Sequence, residues 1–178
     1  MVSRTYVLEN SKGKKTELQI FDENLILSMD KINASRSASS MMSYVICREL
    51  SKIAKLDLKG YGFKDCAEFA RHVWGYSPNT VNQYIRIGSN LIGDDYKPIV
   101  GLPSTLPIAH MIELLSYGTV NSNFDKTRIQ KLYLEGTLKD GMTAKQIRAA
   151  LKTPALDEHK EEKKGGRKAK EHHAVEIG

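Results

Sequence analysis

The 178-residue chain, with 40% hydrophobic side chains, can form one domain of ordinary size with small appendages. It contains no apolar run of membrane-spanning length and no signal-peptide core, so we expect a cytoplasmic protein with no membrane partner. The formal charge of +6 favours a polyanionic partner, and because residues 157–178 carry six basic and six acidic side chains, the excess lies in the residues before them.

A β-hairpin is predicted within residues 1–24. Residues 5–9 and 16–21 have β-forming compositions, and the turn-rich link between them carries Lys12, Lys14 and Lys15. Because an isolated hairpin is marginal in water, this appendage should either pack on a helical body or pair with the edge of a second copy.

A mainly α-helical domain is predicted over residues 34–153, beginning with a long helix from about residue 35 to residue 56. Its apolar stripe consists of Met42, Val45, Ile46, Leu50, Ile53 and Ala54. Arg48, Lys52 and Lys55 lie together on another face of the same helix. Two interpretations of this basic face are open, contact with phosphates and simple solvation.

Residues 64–90 have the pattern of a helix-turn-helix. Asp65 can cap a first helix, and Gly75 stands where a left-handed residue ends it. Ser77 is a good N-cap for a second helix, and Pro78 suits its first position. The apolar residues expected between the two helices are Phe69, Ala70, Val73, Val81, Tyr84 and Ile85.

The second helix presents hydrogen-bonding side chains on its remaining face. Amide, hydroxyl and guanidinium groups read base edges and phosphates when a helix lies in the major groove. No acidic residue occurs from residue 77 to residue 90. The residues predicted to bind DNA are Ser77, Asn79, Thr80, Asn82, Gln83, Arg86, Lys64, Arg71, Lys52 and Lys55. The alternative is an ordinary helical hairpin whose polar face meets water.

Three further helices are predicted beyond a loop that contains glycines and prolines. Thr105 is a candidate N-cap for the first, which would end near Gly118. Its inward residues would be Leu106, Ala109, Ile112 and Leu115. The second spans residues 125–135, and Thr143 with Gln146 forms a capping box for the third. Residues 154–178 are charged and almost free of aromatic side chains, which predicts a disordered tail.

No sequence pattern indicates catalysis. Phosphate-binding glycine loops and the nucleophile motif of hydrolases are missing, and Cys66 with His72 lacks two further ligands at zinc-finger spacing. Cys47 and Cys66 have no paired spacing and are interpreted as small buried side chains in a reducing cytosol. We therefore predict a protein that is not an enzyme and uses no metal or other cofactor.

Three stretches carry a resemblance to a known class of proteins: RELSKIAK, then GFKDCAEFARHVWGYSPNTVNQYIRIG, then DGMTAKQIRAALK. Together they resemble the helix-turn-helix proteins of phages, plasmids and integrative elements of Gram-positive bacteria, with a ParB/KorB-like central segment. The resemblance covers residues 43–152 and implies DNA binding in phage or plasmid regulation and partition, in the cytoplasm of a bacterial host cell. It places Ser77, Asn79, Thr80, Gln83 and Arg86 in the recognition helix. No ParB-like nucleotide-binding arginine motif precedes this segment, so a nucleotide-driven partition role is not carried over.

A second function remains open. Small proteins of mobile elements include anti-CRISPR inhibitors, several of which resemble helix-turn-helix folds, and some engage both Cas9 and DNA. The alternative is therefore an anti-CRISPR protein that inhibits a Cas9 nuclease by stoichiometric binding, in which the N-terminal hairpin would have a use. A homodimer is expected in the DNA-binding role because a single recognition helix reads too few base pairs for tight specific binding.

Overall fold

The computed structural model describes residues 2–36 and 43–152. The elements in chain order are β1 (Arg4–Glu9), β2 (Lys15–Ile20), α1 (Glu23–Arg36), α2 (Ser43–Ile53), α3 (Cys66–Trp74), α4 (Pro78–Asn90), α5 (Ile108–Gly118), β3 (Thr119–Val120), β4 (Asn123–Phe124) and α6 (Lys126–Leu134). A last helix, α7, begins at Ala144 and is described to residue 152. The predicted mainly helical architecture with an N-terminal hairpin is confirmed. The tail predicted at 154–178 lies outside the described residues.

The N-terminal hairpin packs on the helical body. β1 and β2 are antiparallel, in register from Arg4 opposite Ile20 to Glu9 opposite Lys15. Leu18 and Ile20 are buried in the same apolar cluster as α1, α2 and α3. This confirms the first of the two expected ways of stabilising the hairpin.

Helix α1 was missed by the sequence analysis. Leu25, Ile26, Met29 and Ile32 are buried on one side of it, and the Asp22 carboxylate accepts hydrogen bonds from the first turn, including one of 2.9 Å from the N–H of Asn24. The predicted boundary between the hairpin and the helical domain, residues 24 to 34, therefore falls inside a helix.

The long helix predicted from residue 35 to residue 56 is wrong in extent. Ser35 and Arg36 end α1, and α2 spans Ser43–Ile53. Of the predicted stripe, Ile46, Leu50 and Ile53 are buried, whereas Val45 is half-buried, Ala54 is exposed beyond the end of the helix, and Met42 is outside the described residues.

Two apolar clusters meet along α2 and α4. The first joins the hairpin and α1 to α3, and it includes Leu50 of α2 and Val81 of α4. The second joins α5, α6 and α7, and it includes Cys47 of α2 and Ile87 of α4. The two helices cross closely at Gly88, where an added Cβ would lie 2.0 Å from the carbonyl oxygen of Cys47. Only glycine fits at this crossing, so the position of α4 is fixed by backbone contact with α2.

The C-terminal helices follow the prediction with two corrections. Thr105 is not the cap of α5, which begins after Pro107, and Ala109 is exposed, whereas Leu115 is buried as predicted, together with Met111 and Leu114. Further along the chain, Asp125 is the N-cap of α6, and the expected capping box before α7 is confirmed. The Asp125 carboxylate accepts from the N–H of Thr127 (3.0 Å), and the capping box before α7 is closed by hydrogen bonds of 2.8 and 3.2 Å.

Candidate nucleic-acid interface

The turn between α3 and α4 has the local structure that its sequence predicts. The Asp65 carboxylate caps α3 by accepting from the N–H of Glu68 at 2.9 Å. Gly75 ends α3 with φ of +74°, a left-handed conformation that costs glycine nothing, and its N–H donates to the carbonyl oxygen of Arg71. Ser77 caps α4 by accepting from the N–H of Thr80 at 3.2 Å, and Pro78 takes the first helical position.

Buried contacts hold α4 on both sides. Val81 is fully buried against the cluster that contains α3, and Ile87 is fully buried on the side of α5. Tyr84 is half-buried and meets the ring of Tyr76 edge to face, with 6.1 Å between the ring centroids. A helix fixed in this way can present its remaining face without moving.

The solvent-facing side of α4 is a row of polar side chains that we call the outer stripe. It consists of Asn79, Asn82, Arg86 and Ser89, all exposed. The spacing of three and four residues aligns them on one face of the helix. The stripe carries amide, hydroxyl and guanidinium groups and no carboxylate, so it can donate and accept hydrogen bonds and bears a positive charge.

Three other predicted site residues, Ser77, Thr80 and Gln83, are less available to a ligand than the outer stripe. The hydroxyls of Ser77 and Thr80 are engaged with each other (2.8 Å) as part of the N-cap, which commits them to holding the start of the helix. Gln83 is half-buried at the edge of the outer stripe. The stripe therefore depends chiefly on Asn79, Asn82 and Arg86.

A surface cavity of about 260 Å³ lies beside the stripe. Lys64, which precedes α3, and Asn82 both line this cavity, so the fold brings together two residues that are distant in sequence. Lys59 lines it as well, together with Asp57 and Asp65. Lys59 was not among the predicted residues, because the short 3₁₀ turn Lys59–Tyr61 that carries it has no apolar periodicity.

The basic face predicted on α2 is largely neutralised within the protein. Arg48 donates to the carbonyl oxygen of Gly88 (2.9 Å) and to the carboxylate of Asp94 (2.6 Å). The Arg48 hydrogen bond, assisted by the charges of Arg48, Lys52 and Lys55, lowers the pKa of Asp94. The structure therefore shows neither a free phosphate-binding group nor a simply solvated one at Arg48. Instead, Arg48 links α2 to α4 and to the loop that follows α4.

Lys52 belongs to an internal network around Glu49. This carboxylate, only 1% exposed, accepts from Ser28 of α1 (2.6 Å), from Lys52 (3.0 Å) and from the hydroxyl of Tyr96, and Lys31 lies 3.7 Å away. Burial raises the pKa of Glu49, but the hydrogen bonds from Ser28, Tyr96 and Lys52 outweigh it, so the pKa is lowered and the carboxylate stays ionised. Lys52, predicted to bind DNA, therefore has an intramolecular partner, whereas Lys55 and Arg71 are exposed.

Arg86 is also connected to an element that the sequence analysis did not predict. Its guanidinium donates to the hydroxyl of Thr119 at 3.1 Å, and Thr119 is the first residue of β3. Strands of two residues are too short to show an alternating pattern in the sequence. The hairpin formed by β3 and β4 therefore adjoins the outer stripe.

The two cysteines lie away from the solvent. Cys47 and Cys66 are buried free thiols, as expected, and burial raises the pKa of each to about 12. Within residues 2–36 and 43–152 no three His, Cys, Asp or Glu side chains are grouped so as to hold a metal ion. None of the helices in these ranges has the length and apolar character needed to cross a membrane.

Comparison of the chain with protein-family models, with curated proteins and with solved structures finds no match.

Proposed function

We propose that the protein binds double-stranded DNA, with α3 and α4 as a helix-turn-helix and α4 as the recognition helix. The observation that carries this proposal is the outer stripe, an exposed row of amide and guanidinium groups without a carboxylate on a helix that buried contacts hold on both sides. Its role is non-catalytic, as a regulator or accessory factor of a phage or plasmid in a bacterial cytoplasm.

The chemistry of the stripe suits the major groove. An asparagine amide can bind adenine through two hydrogen bonds, and an arginine guanidinium can bind guanine in the same way. Lys64 and Lys59 line the same cavity as Asn82 and would neutralise phosphates next to the groove, which fixes the position of a helix without reading sequence. A homodimer would double the number of base pairs read.

The test is a gel shift with random and native-locus duplexes at two salt concentrations. We expect wild-type affinity to fall steeply as salt rises, because phosphate contacts release counterions. Arg86→Ala should cost about 1 to 3 kcal/mol of binding free energy. Arg4→Ala is the matched control, since it removes the same charge at a residue that is far from the stripe in sequence and ion-paired with Asp30. Equal affinity of all three proteins would reject the assignment of α4.

A second candidate function rests on the N-terminal hairpin. Its turn carries exposed Lys12 and Lys14, and exposed Lys15 begins β2; a DNA-reading α4 uses none of them. Asn10 fixes the turn by accepting from the N–H of Lys12 and of Lys14. In this alternative the protein is an anti-CRISPR inhibitor that binds a Cas9 nuclease stoichiometrically through the basic turn. Reversing the three lysine charges would then abolish inhibition of DNA cleavage. Undiminished cleavage in the presence of excess wild-type protein would reject this candidate.

A further inference from the structure

The β3–β4 hairpin is joined to the outer stripe by a directed hydrogen bond. The Thr119 hydroxyl donates its proton to the carbonyl oxygen of Leu115, 2.6 Å away. Its oxygen is thereby oriented to accept from Arg86, the residue of the stripe that reaches it. Thr119 consequently fixes where the Arg86 guanidinium lies relative to the hairpin.

The root of the hairpin is tightly packed. The N–H of Asp125 donates to the carbonyl oxygen of Gly118 at 2.8 Å, closing the base of the two strands. The ring of Phe124 lies over Gly118 so closely that an added Cβ would be 2.5 Å from a ring carbon. The turn residues Asn121 and Ser122 have φ of +50° and +66°, which is the conformation of the tight two-residue turn that best matches strand twist.

The tip of the hairpin is polar and exposed, and two cations follow it. At about 3.3 Å per residue, its two-residue strands carry the turn about 7 Å beyond Thr119. The exposed polar residues at the tip and at the start of α6 are Asn121, Ser122, Asn123, Asp125, Lys126, Thr127 and Arg128. The carboxylate among them, Asp125, is engaged by the N–H and the hydroxyl of Thr127 as the cap of α6. This surface therefore offers amide, hydroxyl and ammonium donors on, and directly after, the hairpin that Arg86 contacts through Thr119.

We propose that the β3–β4 hairpin is a second DNA-contacting element, in which the turn and Lys126 bind the phosphate backbone beside the groove that α4 enters. The inference rests on the proposed function and extends it to a separate part of the chain. Amides, hydroxyls and lysines are common ligands of phosphate oxygens. Thr119 is a positioning residue, since it acts through Arg86.

The experiment compares three variants by fluorescence anisotropy on a random duplex about two helical turns long, over a range of salt concentrations. Asn121→Gly with Ser122→Gly removes both turn side chains and keeps the turn, because glycine adopts positive φ without strain. Lys126→Gln removes one exposed charge outside the turn. Lys131→Gln is its matched control, the same charge change on the same helix at a residue that is paired with Glu135.

We expect Lys126→Gln to reduce the slope of log affinity against log salt by about 1 and to weaken binding about eightfold at 0.1 M salt, the effect of one lost phosphate contact. The glycine pair should weaken binding about fivefold at every salt concentration, as for one lost net hydrogen bond. Lys131→Gln should match the wild type.

Two results would overturn the inference while leaving the recognition helix in place. The first is that the glycine pair and Lys126→Gln both bind as the wild type does, while Arg86→Ala binds weakly. The second is that Lys126→Gln and Lys131→Gln reduce the slope of log affinity against log salt equally, which would reflect overall charge. A wild-type protein that binds no duplex at low salt would reject the proposed function and the hairpin together.

Discussion

Gly88→Ala should destabilise the protein, although alanine normally favours a helix. A Cβ at residue 88 would lie 2.0 Å from the carbonyl oxygen and 2.4 Å from the carbonyl carbon of Cys47, so relief requires the backbones of α2 and α4 to separate. Overpacking of this kind costs about 1 to 3 kcal/mol and more where backbone must move. Against a gain of about 1 kcal/mol in helix propensity, the upper end of this cost leaves a net loss of about 2 kcal/mol.

The measurement is urea and thermal unfolding followed by circular dichroism. A loss of about 2 kcal/mol corresponds to a fall in melting temperature of about 6 °C for a domain of this size. Gly60→Ala is the matched control, because a Cβ there meets nothing within 4 Å. It should leave stability unchanged or raise it by up to about 1 kcal/mol by restricting the unfolded chain. Equal stability of the two variants would refute the close crossing of α2 and α4.

Two further predictions concern the buried carboxylate and the faces of α4. Because the pKa of Glu49 is lowered from its ordinary 4.5, the ionised group stabilises the fold above that pH, and this contribution is lost as pH falls through the depressed pKa. Urea unfolding at pH 7 and in acid should show a smaller loss on acidification in Glu49→Gln than in the wild type, and identical pH profiles would contradict the network. Val81→Asp should destabilise the fold by several kcal/mol, whereas the adjacent Asn82→Asp should keep its melting temperature and weaken DNA binding. Wild-type melting of Val81→Asp would show that the faces are inverted.

The helix ends were predictable because their interactions are local. Asp65, Gly75 and Ser77 make their hydrogen bonds within four residues of themselves, and the capping box of Thr143 and Gln146 spans three. Such contacts depend on the residue types at a fixed spacing and hardly on the rest of the chain. The sequence therefore located the turn between α3 and α4 correctly.

Long-range partners explain what the sequence analysis missed. Ser28 lies in α1 at a buried position because it donates to Glu49, twenty-one residues away, and this interrupts the apolar pattern that would have revealed the helix. Lys52 resembles a phosphate-binding residue in the sequence, but the fold supplies it with a carboxylate and with the ring of Tyr96 at 5.3 Å. Thr119 offers no local signal either, since its partner Arg86 is thirty-three residues distant.

The proposal that α4 reads DNA is tested most directly by titrating the isotopically labelled protein with duplex DNA and following it by nuclear magnetic resonance. We expect the resonances of the side-chain amides of Asn79 and Asn82 and of the backbone amides of α4 to shift on addition of DNA, and these shifts to weaken as salt rises. Shifts confined to the turn at residues 10–14, or no shifts at low salt, would contradict the assignment of α4 as the DNA-reading helix.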